Sequence, residues 1–364
     1  MKTTITNSVS DNNTALIVGV TGIVGHSLAE HLVSKGWTTV GLARRPVDDV
    51  PGLKNIGVDL LNKAALEKAL EDVQPTHVYF ATWARHETEA ENIAVNGAML
   101  RNLLEVLRPK KSIQHFALPT GLKHYIGPFE IYGKVPPPPT PFRETLPRLD
   151  IPNFYYTLED LVFEAAEADG FSWSVHRPHT IIGFARENVM NMGTTLGVYG
   201  AYCRETGHPF TFPGNERQWS GLSDVTDARV LAKHLEWAST TPAVKDQALH
   251  VTNGDLFRWK WMWERIASWF GVEAVPFYGK INTLSEQMAN AKPVWAKITQ
   301  KHRLIEPGLD RIASFWHTDG DLLRPFECIT DMTKSRLLGF TEYMASDQAF
   351  FDHFERLRRE RIIP

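Results

Sequence analysis

The 364-residue chain has only two cysteines, Cys203 and Cys328, and neither belongs to a Cys-x-x-Cys pair. That count excludes a disulfide framework and a zinc ribbon. Long hydrophobic runs are missing too: no apolar stretch reaches the roughly 18 residues a membrane-crossing helix needs. The first residues, MKTTITNSVSDNNT, lack the apolar core of a signal peptide, which points to a cytoplasmic protein. Nor does one sign of charge dominate, with Lys+Arg 39 against Asp+Glu 42 and a net charge of -3. Such a balance offers no general attraction to nucleic acid or to an acidic membrane. No metal centre is expected: His176 and His179 come closest, but Arg177-Pro178 between them spoils a helical pair and no third ligand follows.

What is present is ordinary for a folded protein, 43% hydrophobic and 22% charged residues. A monomer of this length buries roughly three quarters of its extended-chain surface, so a large core is available. Many of the eleven tryptophans lie in the second half, around Trp259, Trp261, Trp263 and Trp269. They read first as core and interface packing, with the lining of an apolar pocket as the alternative.

Residues 1–14 are polar and read as a disordered tail. Ala15 to Val20 is a short apolar run of the kind that is buried on both faces of a sheet. A helical pattern follows through Ile23, Leu28, Leu32 and Val33, with Gly36 as its stop. Thr38 to Ala43 reads as a strand, and Asn62 caps a helix striped with Leu66, Ala69, Leu70 and Val73. His77 to Ala81 is a further strand, a long helix carries Ile93, Leu100, Leu103, Leu104 and Leu107, and Ser112 to Leu118 is the next strand. This alternation predicts a doubly wound α/β fold with a parallel sheet covered on both faces. Residues 133–152, rich in proline, read as a long surface excursion. A helix from Tyr155 to Ala168 and a strand from Ser172 to His176 resume the order. The expected division is a dinucleotide-binding unit over 15–185 and a smaller, mainly helical substrate lobe over 186–364 that partly returns to the sheet.

The chemistry begins with Gly19-Val-Thr-Gly22-Ile-Val-Gly25, between a strand and a helix. The first glycine permits a tight turn, the second lets backbone approach a pyrophosphate, and the third lets helix pack on strand. Arg44 and Arg45 end the second strand, where an NAD-selective site places an acidic residue. Two guanidinium groups suit a 2′-phosphate instead, so NADP(H) is the expected cofactor. Asp59 and Leu60 follow the next short strand as a candidate adenine-side wall. The Tyr-x-x-x-Lys pair of short-chain dehydrogenases is absent: Tyr155 is followed at that spacing by Glu159, and Tyr156 by Asp160. Lys123, in Thr120-Gly-Leu-Lys-His-Tyr125, lies just past a strand whose carboxyl end faces the cofactor crevice. Tyr125, Tyr132 and Lys134 read as walls of that loop, and Phe340 as an apolar side of the pocket.

These segments together resemble the progesterone 5β-reductase and iridoid synthase-like family, atypical extended short-chain dehydrogenases. The resemblance rests on ALIVGVTGIVG (15–25), ARRP (43–46), THVYFATWAR (76–85), TGLKHYIGPFE (120–130), LPRLDIPNFYYTLED (146–160), WSVHRPHTIIGF (173–184), NGDLFRWKWMW (253–263) and KPVW (292–295). It implies NADPH-dependent reduction of the C=C bond of a small enone substrate, and a homodimer. It also implies that the missing lysine's task passes to Lys123, with Tyr155 as its partner and Tyr156 a structural neighbour. By the same resemblance Thr21, Gly22, Ile23 and the adjoining Val24 serve the pyrophosphate, and Arg44 and Arg45 the 2′-phosphate. Asp59 and Leu60 fall on the adenine side, Thr82 in the crevice and Ile181 at the nicotinamide end. Two departures are Pro119, where a glutamine is usual, and His179-Thr180, where Gly-Asn is usual; both bear on substrate identity.

In the implied reaction a hydride reaches the β-carbon of the enone and charge gathers on the carbonyl oxygen. Tyr155 donates a hydrogen bond to that oxygen, and Lys123 adds positive charge and lowers the tyrosine pKa. Two other readings stand beside this one. One is an NADP-dependent alcohol dehydrogenase or epimerase of the extended short-chain type; the other is a regulator that binds NADP without turnover.

Overall fold

The computed structural model of the protein describes residues 13–132, 134–186 and 188–364. Residues 1–12 of the expected tail lie outside that description, and Thr14 already opens the first strand. The strands are β1 (Thr14–Val18), β2 (Thr38–Ala43), β3 (Lys54–Gly57), β4 (His77–Phe80), β5 (His115–Pro119) and β6 (Ser172–Pro178). After them come β7 (Ile181–Ile182), β8 (Phe210–Thr211), β9 (Thr226–Asp227), β10 (Gln247–Val251) and β11 (Ala274–Val275). Seven form one sheet in the order β10-β6-β5-β4-β1-β2-β3, and every pairing in it is parallel. Chain order reverses between β1 and β4, so a crevice opens there beyond the carboxyl ends of the strands.

The helices in chain order are α1 (Ile23–Ser34), α2 (Lys63–Ala69), α3 (Glu89–Leu107), α4 (Lys123–Ile126), α5 (Phe154–Asp169), α6 (Met192–Thr206) and α7 (Glu216–Ser220). They continue with α8 (Ala228–Thr240), α9 (Trp259–Phe270), α10 (Leu284–Gln287), α11 (Ala291–His302), α12 (Phe315–Leu322), α13 (Thr333–Leu337) and α14 (Ser346–Arg359). Helices α1 and α8 cover one face of the sheet, burying Leu28, Leu32, Leu231 and Leu235 against Ile17 and Tyr79. Helices α2, α3 and α5 cover the other, where Leu66, Leu100, Leu103 and Val162 meet Leu16, Val18 and Phe116. Burial on both sides is why β1 reads as an unbroken apolar run. Asn62 caps α2 by accepting from the Ala65 N–H, and Gly36, at φ +80°, ends α1.

Residues beyond 185 build a second core from Phe210, Trp263, Trp295, Phe350 and Phe354. Trp263 donates its indole N–H to the Phe210 carbonyl at 2.8 Å, and Trp259 is buried beside it. Trp259 and Trp263 are therefore core, Trp269 packs partly buried against that core, and Trp261 is exposed. Two pieces of this half rejoin the first: α8 packs on α1, and β10 pairs with β6. Phe340, expected on the apolar side of a pocket, is buried in the core instead, edge-on to His234 and beside Trp237, under α8. Residues 133–152 are not wholly a surface excursion either. Phe142 is completely buried, stacked on Tyr125, with its backbone bonded to Ile329 and Asp331. A proline-rich composition conceals this anchor, because one aromatic among prolines has no periodicity to reveal it. Among the described residues, no helix is long and apolar enough to cross a membrane.

Candidate active site

The turn from β1 into α1 is built by close approach. Gly19 has φ +90°, and a Cβ there would lie 2.6 Å from Thr82 Cβ and 2.7 Å from the Ala81 carbonyl oxygen. Thr82, just past β4, is thus brought against the glycine loop at the point where the strand order reverses. A Cβ on Gly25 would sit 2.3 Å from the Gly19 carbonyl oxygen, so only glycine lets α1 enter this close to the turn. Gly22 is the N-cap of α1, and no side chain caps it. The first-turn amides of Ile23, Val24 and Gly25 therefore point out of the helix end, with half-buried Thr21 beside them. That is the geometry an anion such as a pyrophosphate fits. Ile181 packs with Ile23 and Ala228 at the same end.

Arg44 and Arg45 are exposed just after β2, the strand whose Leu42 carbonyl accepts from the Gly19 N–H at 2.8 Å. They flank the glycine loop on the side expected for a 2′-phosphate. Asp59 and Leu60 are divided in their tasks. The Asp59 carboxylate is exposed and accepts from the Leu61 N–H, while the Leu60 side chain belongs to the core under α2 and α3. At Leu60 only the backbone is open to a wall-forming role, and its carbonyl already accepts from Asn102.

Across the crevice, Tyr155 occupies the first turn of α5 and its hydroxyl stands over Gly121. A Cβ on Gly121 would lie 3.4 Å from Tyr155 Oη and 3.4 Å from the Pro178 carbonyl oxygen. The hydroxyl is thereby placed at the carboxyl ends of β5 and β6. Lys123 opens α4 two residues on, its Nζ 5.0 Å from the Trp83 ring centre and 5.5 Å from that of Phe154. Burial pulls the Lys123 ammonium below its ordinary value, against the opposing pull of Glu89, Glu130 and Asp321. Burial, reinforced by the charge of Glu89, pushes the Tyr155 phenol above its ordinary value. The expected lowering of the tyrosine pKa is not found: burial and Glu89 both act to raise it, and Tyr155 stays protonated at neutral pH as a hydrogen-bond donor.

Glu159 stands where the Tyr-x-x-x-Lys lysine would be, and it is fully engaged. It accepts from Arg148 at 2.9 Å and Arg177 at 3.2 Å, with His124 Nδ1 at 3.5 Å. Arg177 also donates to the Tyr125 hydroxyl at 2.8 Å, which pairs with His250 at 2.8 Å. Tyr125 is therefore no wall of the crevice but a fully buried part of this polar core. Tyr156 is structural as expected, donating to the His124 carbonyl at 2.6 Å. Tyr132 is half-buried against Phe326, and Lys134 is exposed. The ladder from β5 to β4 ends at Ala117, two residues before Pro119, which has no N–H with which to extend it. His179 lies between Asp224 at 2.6 Å and Arg324 at 2.6 Å, away from His176, which pairs with His234. No metal-binding cluster occurs among the described residues.

Sequence reasoning gave several residues at this site no role of their own. Trp83, Arg85 and Glu89 leave the end of β4, and Trp316 reaches in from α12 to stack under the Arg85 guanidinium at 4.2 Å. The first three sit within eight residues of Ala81 at a carboxyl strand end, a placement that could have flagged them. Trp316 could be found only by folding.

A family model described as a PRISE-like Rossmann-fold domain matches residues 38–364. The chain belongs to this family. It is 40% identical to an (S)-8-oxocitronellyl enol synthase from Camptotheca acuminata, over 96% of this chain and 93% of that protein. It is 37% identical to a 3-oxo-Delta(4,5)-steroid 5-beta-reductase from Arabidopsis thaliana, over 98% and 95% respectively. Among solved structures, the UDP-glucose 4-epimerase from Bifidobacterium longum in complex with NAD+ and UDP superposes with a TM-score of 0.67 at 13% identity. That match covers 95% of this chain and 98% of the epimerase and speaks for the fold.

Proposed function

We propose that this protein is an NADPH-dependent reductase of the C=C bond of an α,β-unsaturated carbonyl compound. Family membership makes it an oxidoreductase, and two relatives carry names of enone chemistry, the steroid 5-beta-reductase and the enol synthase. The observation that carries the reading is the Tyr155 hydroxyl standing over Gly121, with Lys123 two residues away at the same crevice. The cofactor fits the residues present: a glycine cradle that a Cβ would fill, an uncapped helix N-terminus and two exposed arginines. Gly19, Thr21, Gly22, Ile23, Val24 and Gly25 would hold the pyrophosphate, with Thr82 and Ile181 further along the crevice. Arg44 and Arg45 would hold the 2′-phosphate, and Asp59 and Leu60 the adenine side. Bound NADPH supplies the hydride.

The chain's own residues handle the charge that follows. Tyr155, kept protonated by burial, donates to the substrate carbonyl oxygen as it becomes an enolate. Lys123, held against Trp83 and Phe154, adds positive charge beside that oxygen in a site withdrawn from water, where charge stabilisation is stronger than in solvent. Because this charge appears only on the way to product, its stabilisation raises the rate rather than merely tightening binding. The α-carbon can then be protonated by water. In this reading residues 15–185 hold the dinucleotide in a cytoplasmic enzyme, while 186–364 supply most of the substrate side. The test is NADPH consumption with 2-cyclohexen-1-one in wild type, Tyr155→Phe and Lys123→Ala. Losses of about 100- to 1,000-fold in kcat are expected, the scale of removing one oxyanion donor. Wild-type activity in both variants overturns the assignment, and an allylic alcohol product in place of a saturated ketone favours the alcohol dehydrogenase reading.

A further inference from the structure

Tyr155 and Lys123 come from different elements, so something must fix the distance between them. Asn153, the buried N-cap of α5, touches the backbone of both. Its Oδ1 accepts from the Tyr155 N–H at 3.0 Å, and its Nδ2 donates to the Lys123 carbonyl at 2.8 Å. The orientation of this amide is unambiguous, because its two partners are of opposite kind. Turning it over would set oxygen against oxygen at Lys123 and N–H against N–H at Tyr155.

The surroundings leave Asn153 as the direct link. In the first turn of α5, the Phe154 N–H is taken by Glu89 Oε1 at 2.7 Å and the Tyr156 N–H by the Asn153 carbonyl at 3.0 Å. These amides are spoken for and are not a ligand site. Tyr156 and Glu159 also tie α5 to α4, but through His124 rather than through Lys123. Loss of the Asn153 side chain would therefore leave the two helices docked while removing a contact that, among the described residues, joins the backbones of Tyr155 and Lys123 directly.

We propose that Asn153 is a positioning residue that sets the Tyr155–Lys123 pair through a single amide, in place of the helix-face spacing that Tyr-x-x-x-Lys provides elsewhere. The inference rests on the reading of Tyr155 and Lys123 given above. Geometry at a reacting centre is steeply rewarded, and a displacement of about 1 Å can cost about 100-fold in rate. Asn153→Asp separates the two halves of the contact. A carboxylate still caps Tyr155 as well as asparagine does, but it sets an oxygen against the Lys123 carbonyl. Asn153→Ser likewise keeps a cap acceptor and is too short to reach Lys123.

Both variants are assayed as full-length protein for kcat, KM for 2-cyclohexen-1-one, NADPH Kd and thermal unfolding. The expected result is a kcat about 10- to 100-fold lower, with KM, NADPH Kd and melting temperature close to wild type. A wild-type kcat in Asn153→Asp overturns the proposal. So does a parallel loss of kcat and NADPH binding, or of the folded state, in both variants, which would make Asn153 a fold determinant only. Tyr155→Phe and Lys123→Ala, run alongside, report on the reading beneath: full activity in those two, or no enone turnover in wild type, overturns that reading itself.

Discussion

Acid should unfold this protein well before its carboxylates titrate. Five buried histidines are held neutral by loss of solvation. His77 is pulled down to about 4, and His115, His234 and His353 to about 3. His176, pressed also by His234 and His115, lies well below the ordinary value. Most belong to one hydrogen-bonded chain through the core. His115 Nε2 meets Ser174 Oγ at 2.8 Å, Ser174 meets His176 at 2.8 Å, and His176 Nδ1 meets His234 Nδ1 at 2.8 Å. A contact between two ring nitrogens requires one to donate and the other to accept, so His176 and His234 cannot both be protonated while it holds.

The direction follows from linkage. These folded-state values lie below the unfolded value of about 6.5, so the unfolded chain takes up protons that the native state refuses. Stability is intact above about pH 7 and falls as the pH drops towards the folded values. Each histidine removes about 1.4 kcal/mol per pH unit in that window, or about 2 kcal/mol by pH 5. The four with values of about 3 to 4 amount to about 8 kcal/mol, within the 5–15 kcal/mol typical of a whole domain; His176 acts in the same direction, and His179, raised to about 9, offsets a small part above pH 6.5. Denaturant unfolding followed by tryptophan fluorescence from pH 7.5 to 5 should show this fall, with the folded state lost near pH 5. His115→Asn, which can still bond Ser172 and Ser174, should flatten the slope by about one proton's worth. A free energy of unfolding that stays level from pH 7 to 5 would refute the reasoning.

Placing the missing lysine back on the helix should fail. Glu159→Lys sets a third cation beside Arg148 and Arg177 in a buried site, and a loss of about 3–5 kcal/mol is expected in chemical denaturation, without any gain in kcat. Phe142→Ala should cost about 3–5 kcal/mol and lower the melting temperature, because the ring is fully buried on Tyr125; an unchanged melting temperature would return residues 133–152 to the surface. Exchanging both Arg44 and Arg45 for alanine should weaken NADPH about 10- to 100-fold in fluorescence titration while leaving NADH little changed, the scale of hydrogen bonds to a charged group. An equal loss for both dinucleotides would remove the 2′-phosphate assignment.

The sequence by itself settled whatever depends on neighbours in the chain. Ala15 to Val20 is apolar throughout because both faces of its strand are covered, and that is visible in a few residues. The spacing of Gly19, Gly22 and Gly25 is a local demand of one turn, and the motifs around Lys123 and Tyr155 placed the chain in its family. Only the tertiary structure decided what depends on partners distant in sequence. It put β10 beside β6 at the sheet edge, and it buried Phe142 between Tyr125 and the backbone of residues 329–331. It moved Tyr125 from the crevice to a buried network with Arg177 and His250, and it brought Trp316 under Arg85. It also reversed the expected shift of Tyr155, since how far a side chain is withdrawn from water is a property of everything packed around it. Composition and spacing report which groups a chain carries; desolvation and long-range contact, which tune those groups, exist only once it has folded.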